Sequence, residues 1–243
     1  MIEDLLEAFR FLTVFPLPKE RKPDLNALAR SMAFFPLAGA AIGALALAAY
    51  QLSASYLPLR VAALCLVVVP ILLSGGLHLD GFADFCDGFF SGKDRERILA
   101  VMKDSRIGAW GTCGIVLVLL AKFELVQVIA PRAPVFLLAM TVSRWAQVAF
   151  GYFLPYGGAG GGMGALVAGK ISLMRFLIAT VFVLPFVFWL RMKGVVIFLL
   201  LWPMLALLGF YFKKKIGGMT GDLYGAASEM TELLILMAAA WTA

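Results

Sequence analysis

Three aspartates, Asp80, Asp84 and Asp87, fall in the run Gly75-Gly-Leu-His-Leu-Asp-Gly-Phe-Ala-Asp-Phe-Cys-Asp-Gly88, at the inner end of an otherwise apolar segment. On a helix they occupy positions i, i+4 and i+7, which brings their carboxylates within roughly 60° of one another. Carboxylates beside hydrocarbon are costly, and crowding like charges adds to the cost. A divalent cation offsets both. Hard oxygen donors suit Mg²⁺ or Mn²⁺, and Mg²⁺ usually needs only one or two carboxylates beside phosphate oxygens. Asp80, Asp84 and Asp87 are therefore candidate metal ligands. The competing reading is ordinary helix-end acids in the headgroup region, but no basic partner lies within the cluster. His78, the sole histidine, sits off the aspartate face and reads more readily as a packing or hydrogen-bonding group than as a ligand.

Three further stretches carry polar chemistry. Residues 94–103 read as a short amphipathic helix burying Ile98, Val101 and Met102, followed by Lys103-Asp-Ser-Arg106 and then Gly108 and Gly111. Lys103 and Arg106 are suited to neutralising charge on a transferring phosphoryl group, and Asp104 is a further candidate metal ligand. Lys93, Arg95 and Arg97 are explained by a solvated basic loop. Between Gly157 and Ser172 the chain is rich in glycine and offers Lys170 to a phosphate; the spacing is not that of a Walker A loop, and a plain linker explains it equally well. Lys213-Lys-Lys-Ile-Gly-Gly-Met-Thr-Gly-Asp222 leads to Glu229 and Glu232. The three lysines need only topology, whereas Asp222 and Glu229, seven apart on one helical face, are candidate substrate contacts. Arg144, inside an apolar segment, is either a partner for one of these acids or a phosphate ligand.

These residues must be positioned by a membrane-embedded frame. The chain has 243 residues, of which 62% are hydrophobic and only 15% charged, too apolar for a soluble domain of this length. The expected fold is all-α: a polytopic bundle of six or seven transmembrane helices, seven being preferred, over apolar segments at about 32–50, 61–79, 109–130, 135–154, 174–190, 194–212 and 223–241. The fifth is short and contains Pro185; the last is marginal because of Glu229 and Glu232. Residues 1–16 set Phe9, Phe11, Leu12 and Phe15 against Glu3, Asp4, Glu7 and Arg10, an amphipathic stretch expected at the interface. They are acidic and are not expected to act as a cleavable signal peptide. A polar loop is expected from Pro16 to Arg30.

With the N-terminus inside, the inner loops carry 15 Lys and Arg, including Lys19, Arg21, Lys22 and Lys93, and the outer side 4, namely Arg60, Arg132, Arg191 and Lys193. That bias orients the aspartates toward the cytoplasm. It also accounts for a net charge of +6 and a pI near 9.3 without invoking nucleic acid. Cys65, Cys86 and Cys113 are dispersed and imply neither a disulfide framework nor a zinc site.

Gly76-Leu-His-Leu-Asp-Gly-Phe-Ala-Asp-Phe-Cys-Asp-Gly88, Arg95-Glu-Arg97 and Met102-Lys-Asp-Ser-Arg-Ile-Gly108 together resemble the signature of the cobalamin synthase family, the adenosylcobinamide-GDP ribazoletransferases. The resemblance extends to Phe11-Leu-Thr-Val-Phe-Pro-Leu-Pro18, Phe34-Phe-Pro-Leu-Ala-Gly39, Gly169-Lys-Ile-Ser172 and Gly217-Gly-Met-Thr-Gly-Asp-Leu-Tyr-Gly-Ala226, in the family's order, as one transmembrane domain over residues 1–243. Some members carry Glu where this chain has Leu79, so Leu79 is no ligand here.

The resemblance implies a multi-pass inner-membrane enzyme that joins adenosylcobinamide-GDP to α-ribazole or its 5′-phosphate, releases GMP and requires Mg²⁺. It implies Asp80 and Asp84 around the metal, Asp87 as a base or second metal ligand, Lys103 and Arg106 on the leaving phosphate, and Asp104, Asp222 and Glu229 as further metal or hydroxyl contacts. The expected partners are these substrates and the lipid bilayer, not nucleic acid; self-association is left open. Two rivals are weaker. A CDP-alcohol phosphotransferase also sets aspartates one helical turn apart beside glycine, but its completing Ala-Arg is missing. A cation transporter would place acids near mid-bilayer on several spans, whereas these gather mostly at one interface, and no internal repeat is evident.

Overall fold

The computed structural model describes residues 1–18, 26–92, 94–129 and 133–241. The inner-side basic residues Lys19, Arg21, Lys22 and Lys93, and outer Arg132, lie outside the described residues. The elements are α1 (Ile2–Leu12), α2 (Ala27–Ser31), α3 (Phe35–Ala54), α4 (Leu59–Ala62), α5 (Leu64–Leu73), α6 (Leu77–Phe89), α7 (Arg95–Met102), α8 (Ala109–Ile129), α9 (Ala133–Phe153), α10 (Met163–Val167), α11 (Leu173–Trp189), α12 (Arg191–Ile216) and α13 (Gly221–Trp241). Apart from one isolated bridge between Tyr156 and Met219, β-structure is absent among the described residues.

Among the described residues, five helical stretches are long and apolar enough to cross a bilayer: Ala27–Ala54, Ala109–Ile129, Ala133–Phe153, Arg191–Ile216 and Gly221–Trp241. A sixth candidate is the pair Leu59–Leu73 and Leu77–Phe89, bent by 88°. The fifth apolar segment, Leu173–Trp189, forms a helix of only 17 residues. The chain is a multi-pass helical membrane protein. Among the described residues the seven apolar segments are largely helical, the second being interrupted at residues 74–76, and five to six of them meet the length and composition of a span. The loop expected up to Arg30 ends earlier, because α2 runs through a short 3₁₀ turn into α3.

The buried helix is α9, apolar on almost every face and packed against α3, α11 and α13. A helix without a polar face belongs in a bundle interior. By contrast α8 and α12 expose Leu117, Leu120, Leu199, Leu207 and Phe210, as lipid-facing helices do.

The break between α5 and α6 is built by two consecutive left-handed glycines, Gly75 (φ 61°) and Gly76 (φ 73°). The Gly76 N–H donates to Ile71 O at 2.9 Å, closing α5, and Gly76 O accepts from the Asp80 N–H at 2.9 Å, opening α6. Side chains bearing a Cβ resist two such residues in succession. The aspartates thus sit on a separate helix set nearly at right angles to the apolar one before it.

Helix α6 then packs closely on α13. A Cβ on Gly81 would meet backbone atoms of Asp222 at 2.6–3.1 Å, and one on Gly225 would meet the His78 backbone at 2.9–3.1 Å. Small residues let helix backbones approach in this way where lipid offers no hydrophobic drive. Gly39 and Gly43 serve the same purpose for α3 against Met140 of α9. Gly225→Val is expected to push α6 off α13, a penalty of about 1–3 kcal/mol for overpacking, and to lower the thermal midpoint of detergent-solubilised protein by several degrees. Gly161→Val, where a Cβ meets open space, should leave that midpoint unchanged.

Candidate active site

The three aspartates of α6 share a helix but not a fate. Asp80 is exposed, while Asp84 and Asp87 are half-buried. Asp87 accepts the Gly108 N–H at 2.7 Å on one oxygen and the Gly111 N–H at 2.8 Å on the other. It thereby satisfies free donors at the start of α8 and places a negative charge at that helix's positive end. A Cβ on either glycine would strike the carboxylate, which explains the glycines of the Ile-Gly-Ala-Trp-Gly run.

Across the α6–α13 contact stands Asp222, half-buried in the first turn of α13. Asp84 lies in the electrostatic field of Asp222, Asp80 and Asp87, and Asp222 in that of Asp80. Asp80 and Asp222 line a cavity of about 160 Å³ walled by α6, α9, α13 and the N-terminal helices. Among the described residues, no hydrogen bond or ion pair engages the carboxylates of Asp80, Asp84 or Asp222. Nor does any group of three or more His, Cys, Asp or Glu side chains close into a metal cage. The donor set is therefore open: hard, partnerless oxygens with room for the oxygens of another molecule. That fits Mg²⁺, which is held by few protein carboxylates and completed by water and phosphate.

Arg95 and Lys103 meet the loops that follow α9 and α12 at one end of the bundle. The α7 helix is Arg95–Met102, capped by Asp94, whose carboxylate accepts the Arg97 N–H. It buries Ile98, Leu99 and Met102; Leu99 rather than Val101 takes the third inward place. Arg95 donates to Ile216 O at 2.8 Å and to Gly157 O at 2.9 Å, and Lys103 donates to Ala159 O at 2.7 Å. These two cations strap the glycine-rich loop, which the Tyr156–Met219 bridge holds from its other side. Lys213, Lys214 and Lys215 fill the last turn of α12, where cations offset exposed carbonyls.

Asp104 is bound by Arg106 through two side-chain hydrogen bonds, at 2.7 and 3.0 Å. That guanidinium, donating directly, holds the Asp104 carboxyl down to about 2. Lys170 is exposed at the end of α10 and no contact links it to the aspartates.

Arg144 and Glu229 sit elsewhere, in a buried ion cluster between the helices. Lys122 of α8 bridges Glu229 at 2.6 Å and Glu232 at 2.8 Å, and Arg144 lies 3.7 Å from Glu232. Arg144 also donates to Ser143 Oγ at 2.8 Å and faces His78 Nδ1 at 3.3 Å. Of the two alternatives for Arg144, the structure shows the acid's partner. Asp222 and Glu229 share α13 but point to different places, one to the open cavity and one to this cluster. Besides Asp80 and Asp222, the polar side chains of His78, Gln147 and Tyr224 line the cavity, the last two unanticipated from the sequence. The sequence hint for Gln147 is its place three residues beyond Arg144 in an otherwise apolar helix; Tyr224 offers none beyond its neighbour Asp222.

The family model for cobalamin-5-phosphate synthase matches residues 4–240. Among curated relatives, an adenosylcobinamide-GDP ribazoletransferase of Geotalea daltonii is 39% identical over 95% of this chain and 94% of its own. One of Desulforamulus reducens is 38% identical over 97% and 95%, and one of Klebsiella pneumoniae is 36% identical over 98% and 99%. No solved structure matches the chain.

Removing one partner of a buried ion cluster strands the opposite charges, at about 3–5 kcal/mol. Lys122→Met is expected to destabilise the protein by about that amount, read as a large fall in thermal midpoint. Adding Glu229→Gln to Lys122→Met should recover part of the loss, since one stranded carboxylate is removed.

Proposed function

The chain belongs to the cobalamin-5-phosphate synthase family, and on that premise we propose that it transfers the adenosylcobinamide phosphate unit from adenosylcobinamide-GDP to α-ribazole or its 5′-phosphate. The products are adenosylcobalamin, or its 5′-phosphate, and GMP. The ribose 3′-hydroxyl oxygen forms a bond to the cobinamide-side phosphorus, the bond from that phosphorus to the bridging oxygen of GMP breaks, and the hydroxyl proton leaves to a base. Transfers of this kind depend mainly on positioning and charge neutralisation.

The observation that supports this reading most is the set of partnerless carboxylates, Asp80, Asp84 and Asp222, where α6 meets α13 beside a cavity. Asp80 and Asp84 would hold Mg²⁺, which when bound neutralises charge on the pyrophosphate, and Asp222 stands opposite them. Asp87 is assigned as a positioning residue rather than the base, because both its oxygens hold the start of α8. The proton acceptor is Asp222, whose oxygens are free. Lys103 and Arg106, both exposed, would exchange Ala159 O and Asp104 for oxygens of the leaving phosphate. Arg144 and Glu229 act indirectly, by holding α8, α9 and α13 together. Lys170 is kept as a peripheral phosphate contact.

The site faces the cytoplasm of the inner membrane. Supporting this are the excess of basic residues on that side and the meeting of the loops after α6, α9 and α12 at one end of the bundle. In a variant lacking Cys65, Cys86 and Cys113, Ser105→Cys should resist a membrane-impermeant maleimide until cells are opened, whereas Tyr56→Cys should label in intact cells. The reverse pattern contradicts the orientation.

Purified protein in liposomes, given adenosylcobinamide-GDP, α-ribazole and Mg²⁺, is expected to yield GMP and cobalamin in equal amounts and neither with EDTA. Asp80→Asn should lose more than a hundredfold in turnover with an unchanged thermal midpoint, whereas Asp94→Asn, whose carboxylate only caps α7, should retain most of it. Near-normal turnover by Asp80→Asn would overturn the assignment of Asp80.

A further inference from the structure

Three of the residues that line the cavity beside the aspartates carry a buried polar atom without a hydrogen-bond partner among the described residues: His78 Nε2, Gln147 Oε1 and the Tyr224 hydroxyl. Their residues are 3%, 2% and 8% exposed. Buried polar groups are nearly always paired, so three orphans around one cavity mark a place built for another molecule's polar groups. Their polarity is fixed by what they touch on their other sides. Arginine can only donate, so the Arg144 guanidinium at 3.3 Å makes His78 Nδ1 the acceptor and leaves the proton on Nε2. Gln147 Nε2 donates to the Tyr224 carbonyl at 3.2 Å, which leaves Oε1 as a free acceptor. The site thus offers one N–H donor, one carbonyl acceptor and one hydroxyl that does either.

The rest of the wall is apolar, from Phe11, Leu28, Met32, Phe35 and Val167. At about 160 Å³ the cavity has room for a flat base, and with exposed Asp80 at its edge the attached sugar can lie in the opening. A corrin macrocycle does not fit such a space. A benzimidazole-type base has one free ring nitrogen, which accepts from His78 Nε2–H, and its carbocyclic ring suits the apolar wall. The attached ribose hydroxyls suit Gln147 and Tyr224.

We propose that this cavity is the binding site for the acceptor nucleoside, taking an apolar bicyclic base with a single free ring nitrogen and presenting its ribose toward Asp80 and Asp222. The identity of the nucleoside rests on the reaction proposed above; the site's preference for such a ligand rests on the three orphaned atoms and the apolar wall. His78, Gln147 and Tyr224 are then specificity-determining residues, and Arg144 positions His78 from behind.

The test is equilibrium binding of α-ribazole to the full chain in detergent, with no corrinoid present. Wild type should bind α-ribazole, and GMP in excess should not displace it. Gln147→Met and Tyr224→Phe should each weaken binding roughly five- to tenfold, as loss of one buried hydrogen bond implies. Both should raise KM for α-ribazole by similar factors and leave KM for adenosylcobinamide-GDP unchanged. Val167→Phe, which fills the cavity from the α10 side, should abolish binding with an unaltered thermal midpoint. Displacement by GMP, or wild-type affinity in well-folded Val167→Phe, would overturn the proposal. Normal turnover together with unimpaired α-ribazole binding in the Gln147 and Tyr224 variants would remove the site and leave the reaction standing. Binding that follows the expected pattern without any turnover would keep the site and remove the reaction.

Discussion

The structure depends on the close crossing of α6 and α13. Two helices in lipid gain nothing from burying apolar surface against each other, so they meet closely only where side chains are absent. Gly81 and Gly225 provide that place, each facing backbone of the other helix. The crossing sets Asp222 opposite Asp80 and Asp84 and makes one wall of the cavity. It requires α6 to leave the axis of α5, which the left-handed pair Gly75 and Gly76 permits. The bend, the crossing and the acids form one device.

The acids of α13 divide into two kinds, and the division separates scaffold from site. Glu229 and Glu232 are buried and matched by Lys122 and Arg144, so their charges are spent on holding α8, α9 and α13 together. Asp222 and Asp84 are half-buried and Asp80 is exposed, and among the described residues all three are unmatched. Uncompensated carboxylates beside a membrane destabilise the empty protein and are retained where a ligand supplies the missing charge. The ion cluster also reaches the cavity, since Arg144 sets the tautomer of His78 and His78 lines the wall. A change in the scaffold cluster is thereby felt at the site.

Much of this was legible in the sequence, because the features concerned are local. The i, i+4, i+7 spacing placed the aspartates on one helix, composition gave a helical membrane bundle, and α7 came within one residue of its expected bounds. The motifs pointed to the family that the comparisons then showed. What stayed hidden depends on distant partners. Lys122 looks like an anomaly in a span until Glu229, 107 residues later, is brought to it. Asp87 looks like its two neighbours until Gly108 and Gly111 arrive to occupy it. Gln147 and Tyr224 carry no motif, and only the cavity identifies them. The 88° break was also hidden: two glycines announce flexibility, but its direction is set by α13. Of the seven segments, five are single long helices among the described residues, the second is the bent pair, and the fifth, Leu173–Trp189, is short at 17 residues.

The account stands or falls on whether the open carboxylates at the α6–α13 crossing hold a divalent ion together with the pyrophosphate. The most direct measurement is the electron paramagnetic resonance of Mn²⁺ titrated into the purified protein, with and without adenosylcobinamide-GDP. Wild type is expected to bind Mn²⁺ weakly alone and markedly more tightly with the nucleotide, and Asp84→Asn to lose that enhancement while keeping its fold. Equal enhancement in a variant carrying Asp80→Asn, Asp84→Asn and Asp222→Asn would contradict the account and move the metal elsewhere.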